Sequence, residues 1–192
     1  MRLEMLAATF PEIADMRVLD LGGLAQFWLT VPVRPKHVTA VNLELQEPIV
    51  DWIEPLVGDA CSLSEELLAN PFDLVVSNSV IEHVGGHARR EHFAQTIQVA
   101  ARHHWVQTPY RYFPIEPHWL FPGQQFLPTP AKAVVSQRWT PSHIRSTDPR
   151  SAVADSLSVE LLGVTEMRYY FPDSHIVYER FAGLVKSLIA WR

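Results

Sequence analysis

The chain has little cysteine, little glycine and no long apolar run. A single thiol, Cys61, stands among 192 residues. That excludes a disulfide within the chain and a zinc cluster built from several cysteines, and it suits a reducing compartment, so a cytoplasmic location is expected. No uninterrupted apolar stretch reaches the roughly 18 residues that a membrane-spanning helix needs, so no membrane partner is expected. The first ten residues contain Arg2 and Glu4 and run straight into Pro11, which is unlike a secretory leader. Basic runs are missing too. The nearest is Arg89–Arg90, and the net charge is −5, so nucleic acid is not expected as a partner. Neither a Gly-x-Ser-x-Gly elbow nor a GxxxxGK[ST] phosphate loop is present.

Apolar residues make up 47% of the sequence and charged residues 19%, enough to bury a sizeable core in one domain spanning 1–192. Short β-branched runs alternate with helical stretches. Strands are expected at Arg17–Leu21, His37–Leu43 (ending at Glu44), Leu56–Val57, Phe72–Ser77 and His104–Thr108. They are apolar throughout rather than alternating, which implies a parallel sheet buried on both faces. Ser62 or Ser64 can cap a helix with Glu65 and Glu66 in its first turn. Gly86–Arg102 carries Phe93 and Ile97 at helical spacing. Asp148-Pro149 reads as a helix start, and Thr165 as the cap of a last short helix closed by Pro172. Two strands near His175–Phe181 and Val185–Ala190, joined by a short connection, are expected to pair antiparallel. Together these give an α/β fold, a three-layer, mostly parallel sheet with a C-terminal antiparallel pair. Most of the prolines, and many aromatics, lie between Pro109 and Pro172. We read 109–147 as an irregular, ordered cover over the active site rather than a linker.

Open α/β sheets bind ligands at the carboxyl ends of their strands. Here the first strand ends Asp20-Leu21-Gly22-Gly23, where glycine lets the backbone approach a ligand. The second ends at Glu44, 24 residues after Asp20, near the spacing at which an acid accepts from ribose hydroxyls. The third ends Gly58-Asp59-Ala60, a carboxylate for an exocyclic amine beside a small residue. The fourth ends Ser77-Asn78-Ser79. Each signal is weak alone; their order along four consecutive strands carries the weight.

The segments Val18–Gly23, Val41–Glu44, Gly58–Ala60 and Phe72–Val84 resemble successive motifs of class I, Rossmann-like, S-adenosylmethionine-dependent methyltransferases. Gln107–His118 is similar to a subgroup of small bacterial methyltransferase-like proteins. The resemblance implies that Asp20, Gly22 and Gly23 approach the amino-acid part of S-adenosyl-L-methionine. It also implies that Glu44 binds the ribose, that Gly58, Asp59 and Ala60 contact the adenine, and that Asn78 and Ser79 sit beside the methyl group. One departure stands out: Gly22-Gly23-Leu24-Ala25-Gln26 lacks the spaced Gly-x-Gly-x-Gly turn of that family.

On the acceptor side, His118 has the pKa class of a general base, and Glu116 is placed to orient it. Tyr110, Arg111 and Tyr112 are candidates for the acceptor pocket. The reading weighed against a general base, and preferred, is that His118 ties the loop to the core by hydrogen bonds. His83, His87 and His92 are weighed as metal ligands, but Gly85-Gly86 interrupts the helix that would align them, and no metal is expected. The function expected is methyl transfer to a small-molecule acceptor. Two alternatives stand beside it: a non-catalytic module that binds the cofactor or a partner, and a nicotinamide-dependent oxidoreductase.

Overall fold

A computed structural model describes residues 2–192. Five parallel strands build the first half: β1 (Arg17–Leu21), β2 (His37–Asn42), β3 (Ile53–Val57), β4 (Phe72–Asn78) and β5 (Ala101–Pro109). After a long excursion come β8 (His175–Phe181) and β9 (Leu184–Trp191), and the sheet order is β3-β2-β1-β4-β5-β9-β8. β9 runs antiparallel to both β5 and β8. The expected α/β architecture is therefore present. The turn between β8 and β9 places Ala182 and Gly183 at φ 48° and 82°, the left-handed pair that suits a tight hairpin.

The strands are apolar throughout because both faces are covered. Leu19, Leu21, Val41, Val75 and Val106 belong to one buried cluster with Phe93, Ile97, Met167 and Phe171. Their neighbours Val18, Val38, Leu74, Val76 and Trp105 belong to a second, with Leu6, Phe10, Ile13 and Trp28. Helices α3 (Gly86–Ala100) and α6 (Val164–Tyr170) supply the first cluster, and α1 (Arg2–Thr9) the second.

Several boundaries differ from the sequence reading. β3 begins at Ile53, not Leu56, with Pro55 inside it. A strand at the sheet edge tolerates a missing N–H, and β3 is such a strand. β5 begins at Ala101 because it pairs with β4 from Phe72 onward, a pairing that polar Arg102 and His103 conceal. The first two crossovers carry no α-helix. A 3-10 turn at Ala25–Thr30 and then Pro32 and Pro35 lie between β1 and β2, and the β2–β3 link is irregular and holds Pro48; each proline removes a backbone donor. The last helix is capped at Gly163, whose N–H donates to Glu166 at 3.1 Å, rather than at Thr165. The Ser64 and Asp148 caps are as expected. Ser64 Oγ accepts from Leu67 N ahead of α2 (Glu65–Leu68), and Asp148 accepts from Arg150 and Ser151 N ahead of α5 (Pro149–Leu157).

The 109–147 segment is more regular than expected. It holds a two-stranded pair, β6 (Ile115–Glu116) with β7 (Phe121–Pro122), and a helix, α4 (Thr129–Arg138), with Pro130 in its first turn. A third small core of Trp119, Val159 and Leu161 anchors it, and Trp119 Nε1 donates to Ser136 Oγ at 3.0 Å.

Candidate active site

The carboxyl ends of β1 to β4 open onto a cleft of about 190 Å³ whose walls include Gly22, Asn42, Gly58, Asp59, Ser79 and His83. Gly22 is left-handed, φ 79°, and a Cβ there would lie 2.6 Å from Val80 Cγ2, so only glycine fits. Side chains brace this turn in place of further glycines. Asn42 Nδ2 donates to the carbonyls of Gly22 (3.2 Å) and Gly23 (3.1 Å), and Gln46 Nε2 donates to Gly23 O at 3.0 Å. Gln46 Oε1 also accepts from Ala25 N at 2.7 Å. Neither Asn42 nor Gln46 was singled out from the sequence. An amide just beyond an apolar strand is the signal that could have found them.

The expected site residues divide into those on the cleft and those behind it. Gly22, Gly58, Asp59, Ala60 and Ser79 line it. Asp20 lies behind the turn, buried, with Oδ2 accepting from Trp28 Nε1 at 2.7 Å, and burial pushes its carboxyl up to about 7. Gly23 packs on that carboxylate; a Cβ would fall 2.0 Å from Asp20 Oδ2. Glu44 lies past the end of β2, exposed, and is not among the lining residues. Its N–H donates to Asn42 Oδ1 at 3.2 Å. Asp59 accepts from Cys61 N at 2.9 Å and from Arg89 at 2.8 and 2.9 Å, and these contacts hold its carboxyl below the usual range. Arg89, at the cleft wall, was not singled out as a site residue. Cys61 is buried, and desolvation pushes its thiol up to about 11, so it is no ready nucleophile.

Ser79, just after β4, is a strained point: φ is 54° for a residue with a Cβ. Gln107 of β5 fixes it twice, with its carbonyl accepting from Ser79 N at 2.9 Å and its Oε1 from Ser79 Oγ at 3.0 Å. Beside this point two buried polar atoms have no partner, Asn78 Oδ1 and Gln107 Nε2; a third, Asp20 Oδ1, lies behind the β1 turn. An acceptor and a donor left open at the ends of β4 and β5 fit a ligand that brings both an ammonium and a carboxylate. At the other end of the cleft the fit is poorer, because Arg89 already occupies the Asp59 carboxylate.

Ser79 also lines a second cavity, about 420 Å³ and mostly apolar. Phe113, Ile115, Pro117 and Leu120 of the 109–147 segment line it together with Gln107, Pro109 and Phe181, and Arg2, His143 and Lys186 also border it. Tyr110, Arg111 and Tyr112 do not line this cavity. Tyr112 is exposed and stacks on Phe126, while Arg111 pairs with Glu166 at 2.5 Å and donates to Leu161 O at 2.7 Å. Arg111 instead borders a separate polar cavity beside Glu116, Gln124 and Lys132.

Glu116 and His118 do come together. Glu116 Oε1 lies 2.6 Å from His118 Nδ1, and its Oε2 accepts from the N–H groups of His118 (2.8 Å) and Trp119 (2.9 Å). His118 Nε2 then faces His83 Nε2 at 3.0 Å, on the cleft wall. His87 turns elsewhere, to the Tyr170 hydroxyl at 3.0 Å, and His92 is exposed, so the His83–His87–His92 set is not assembled.

No family model and no curated protein matches the sequence. Solved structures match the fold along nearly the whole chain. The N-terminal domain of EvdMO1, solved with S-adenosylhomocysteine and D-fucose, aligns with TM-score 0.55 and 15% identity over 99% of this chain and 80% of that one. The 1,6-didemethyltoxoflavin-N1-methyltransferase of Burkholderia thailandensis, solved with bound 1,6-didemethyltoxoflavin and S-adenosylhomocysteine, gives 0.56 and 14% over 98% and 74%. A Rhodobacter sphaeroides structure described as a putative zinc-dependent alcohol dehydrogenase gives 0.63 and 10% over 98% and 87%. The chain thus has the class I methyltransferase-like fold. The antiparallel β9 between β5 and β8 departs from the 3-2-1-4-5-6 order of dinucleotide-binding sheets.

Proposed function

We propose that the protein is an S-adenosylmethionine-dependent methyltransferase acting on a small, largely apolar acceptor through an oxygen or nitrogen atom. One observation carries this reading: the cleft at the strand ends and the apolar cavity meet at Ser79, with the unpartnered Asn78 Oδ1 and Gln107 Nε2 beside it. When bound, the cofactor supplies a methyl group on a sulfonium, displaced in line by the acceptor. The chain's contribution is positional. The Gly22-Gly23 turn, Asn78 and Ser79 hold the amino-acid end, and Asp20 supports that turn from behind. Glu44, exposed beside the cleft-lining Leu43, is assigned to the ribose, and Gly58, Asp59 and Ala60 to the adenine. The 109–147 segment closes the acceptor cavity against water. In the metal-free protein, Glu116 orients His118 toward His83, and this pair at the cleft wall takes the proton of a hydroxyl or neutral amine acceptor.

A second reading, a non-catalytic cofactor-sensing module, is favoured by the Arg89–Asp59 pair and by Val80 packing over Gly22. Incubation with methyl-labelled cofactor and a panel of small phenols, heterocyclic amines and sugars separates the two. The methyltransferase reading expects label on at least one acceptor and its loss in Ser79→Val. Cofactor binding without turnover across the panel favours the module.

A further inference from the structure

We infer that Glu82, His83 and His118 form a binding site for a borderline divalent cation, zinc above all, at the wall of the cleft. One potential ligand atom from each residue lies within 4.8 Å of the others. Ligands around one zinc ion sit about 2.0–2.2 Å from it, hence within about 4.4 Å of one another, so small side-chain adjustments close the set.

Three observations point to a cation rather than to a hydrogen-bonded trio. First, Glu116 Oε1 accepts from His118 Nδ1 at 2.6 Å. That fixes the tautomer of the neutral ring, so the lone pair of His118 lies on Nε2, which is directed at His83 Nε2 3.0 Å away, with the ring planes at 87°. A carboxylate on the outer nitrogen of a histidine is the usual support for a metal-bound imidazole. Second, Glu82 is 1% exposed, and its Oε1 has no partner, although Oε2 accepts from Thr108 Oγ1 at 2.8 Å. A buried carboxylate oxygen left open is costly unless a cation or donor meets it. Third, the residues come from separate parts of the fold. Glu82 and His83 follow β4, and His118 follows β6. A cation would tie the cover to the sheet.

Two imidazoles and one carboxylate suit zinc, cobalt or ferrous iron better than magnesium or calcium. His83 is exposed to the cleft, so the ion would keep a coordination position open toward it. With the ion bound, His118 Nε2 is a ligand and not a base. The inference rests on this geometry alone and stands whether or not the cleft takes S-adenosylmethionine.

The test uses tag-free protein stripped by a chelator and titrated with Co2+, read by its visible absorption. One site per chain is expected, displaced by Zn2+ and not by Mg2+. His83→Asn and His118→Asn should each weaken Co2+ and Zn2+ binding by about tenfold or more. Glu116→Gln, which removes no ligand but changes the partner of the outer His118 nitrogen, should weaken it by about 10–100-fold. Melting curves identify folded variants, and His83→Asn, at an exposed position, decides alone if His118→Asn does not fold. Failure of the wild-type protein to bind Co2+ or Zn2+ would overturn the inference. So would unchanged binding in folded His83→Asn.

Discussion

Asp20 and Glu82 are two carboxyls that burial pushes up to about 7, Asp20 in spite of its bond from Trp28. Between the unfolded value near 4 and about 7 the folded state therefore holds protons that the unfolded chain has released. The stability each contributes is fully present below the unfolded pKa and is lost as pH rises through about 7. Asp20→Asn keeps the shape and the acceptor for Trp28 while removing the titration. It should melt higher than the wild-type protein at about pH 8, by a free energy of roughly 2–4 kcal/mol, and the gap should close toward about pH 5. Equal pH profiles for the two proteins would contradict the burial argument. Gly22→Ala combines a left-handed φ with a Cβ 2.6 Å from Val80. It should cost about 1–3 kcal/mol in denaturant melts and remove ligand binding at the cleft.

At the scale of elements, the α5 cap is the simplest prediction. Asp148 accepts from Arg150 N at 2.9 Å and Ser151 N at 3.1 Å, so Asp148→Ala should lower stability by about 1 kcal/mol. Hydrogen exchange should rise first in α4 and α5, which pack on each other. Trp119→Ala removes both the filler of the third core and its bond to Ser136. It should cost about 3–5 kcal/mol and loosen the 109–147 cover before the sheet. These elements also show what the sequence discloses. The central strands and the Ser64 and Asp148 caps were legible, because burial on both faces and capping chemistry each write a local pattern. The first turns of β3 and β5 were hidden, since Pro55 and the polar pair Arg102–His103 interrupt the apolar run while neighbouring strands supply the pairing. α4 was missed because its prolines read as breakers, although Pro130 stands in the first turn, where no N–H is needed.

At the scale of the molecule, the sheet brings Gly22, Gly58, Asp59 and Ser79 to one cleft, as strand-end positions in the sequence implied. It leaves Asp20 behind the turn and gives Asp59 to Arg89, which no local pattern reveals, since Asp59 and Arg89 are 30 residues apart. The Glu116–His118–His83 contact likewise depends on where the cover lands. On the proposed function, the cleft takes an adenosyl ligand whose amino-acid end reaches Ser79. Calorimetric titration of the protein with S-adenosylhomocysteine is the decisive measurement. A one-to-one complex with a Kd in the micromolar range, weakened at least about tenfold by Asp59→Ala and by Ser79→Val, is the expected result. The absence of heat at millimolar ligand, or affinity untouched by either substitution, would contradict it.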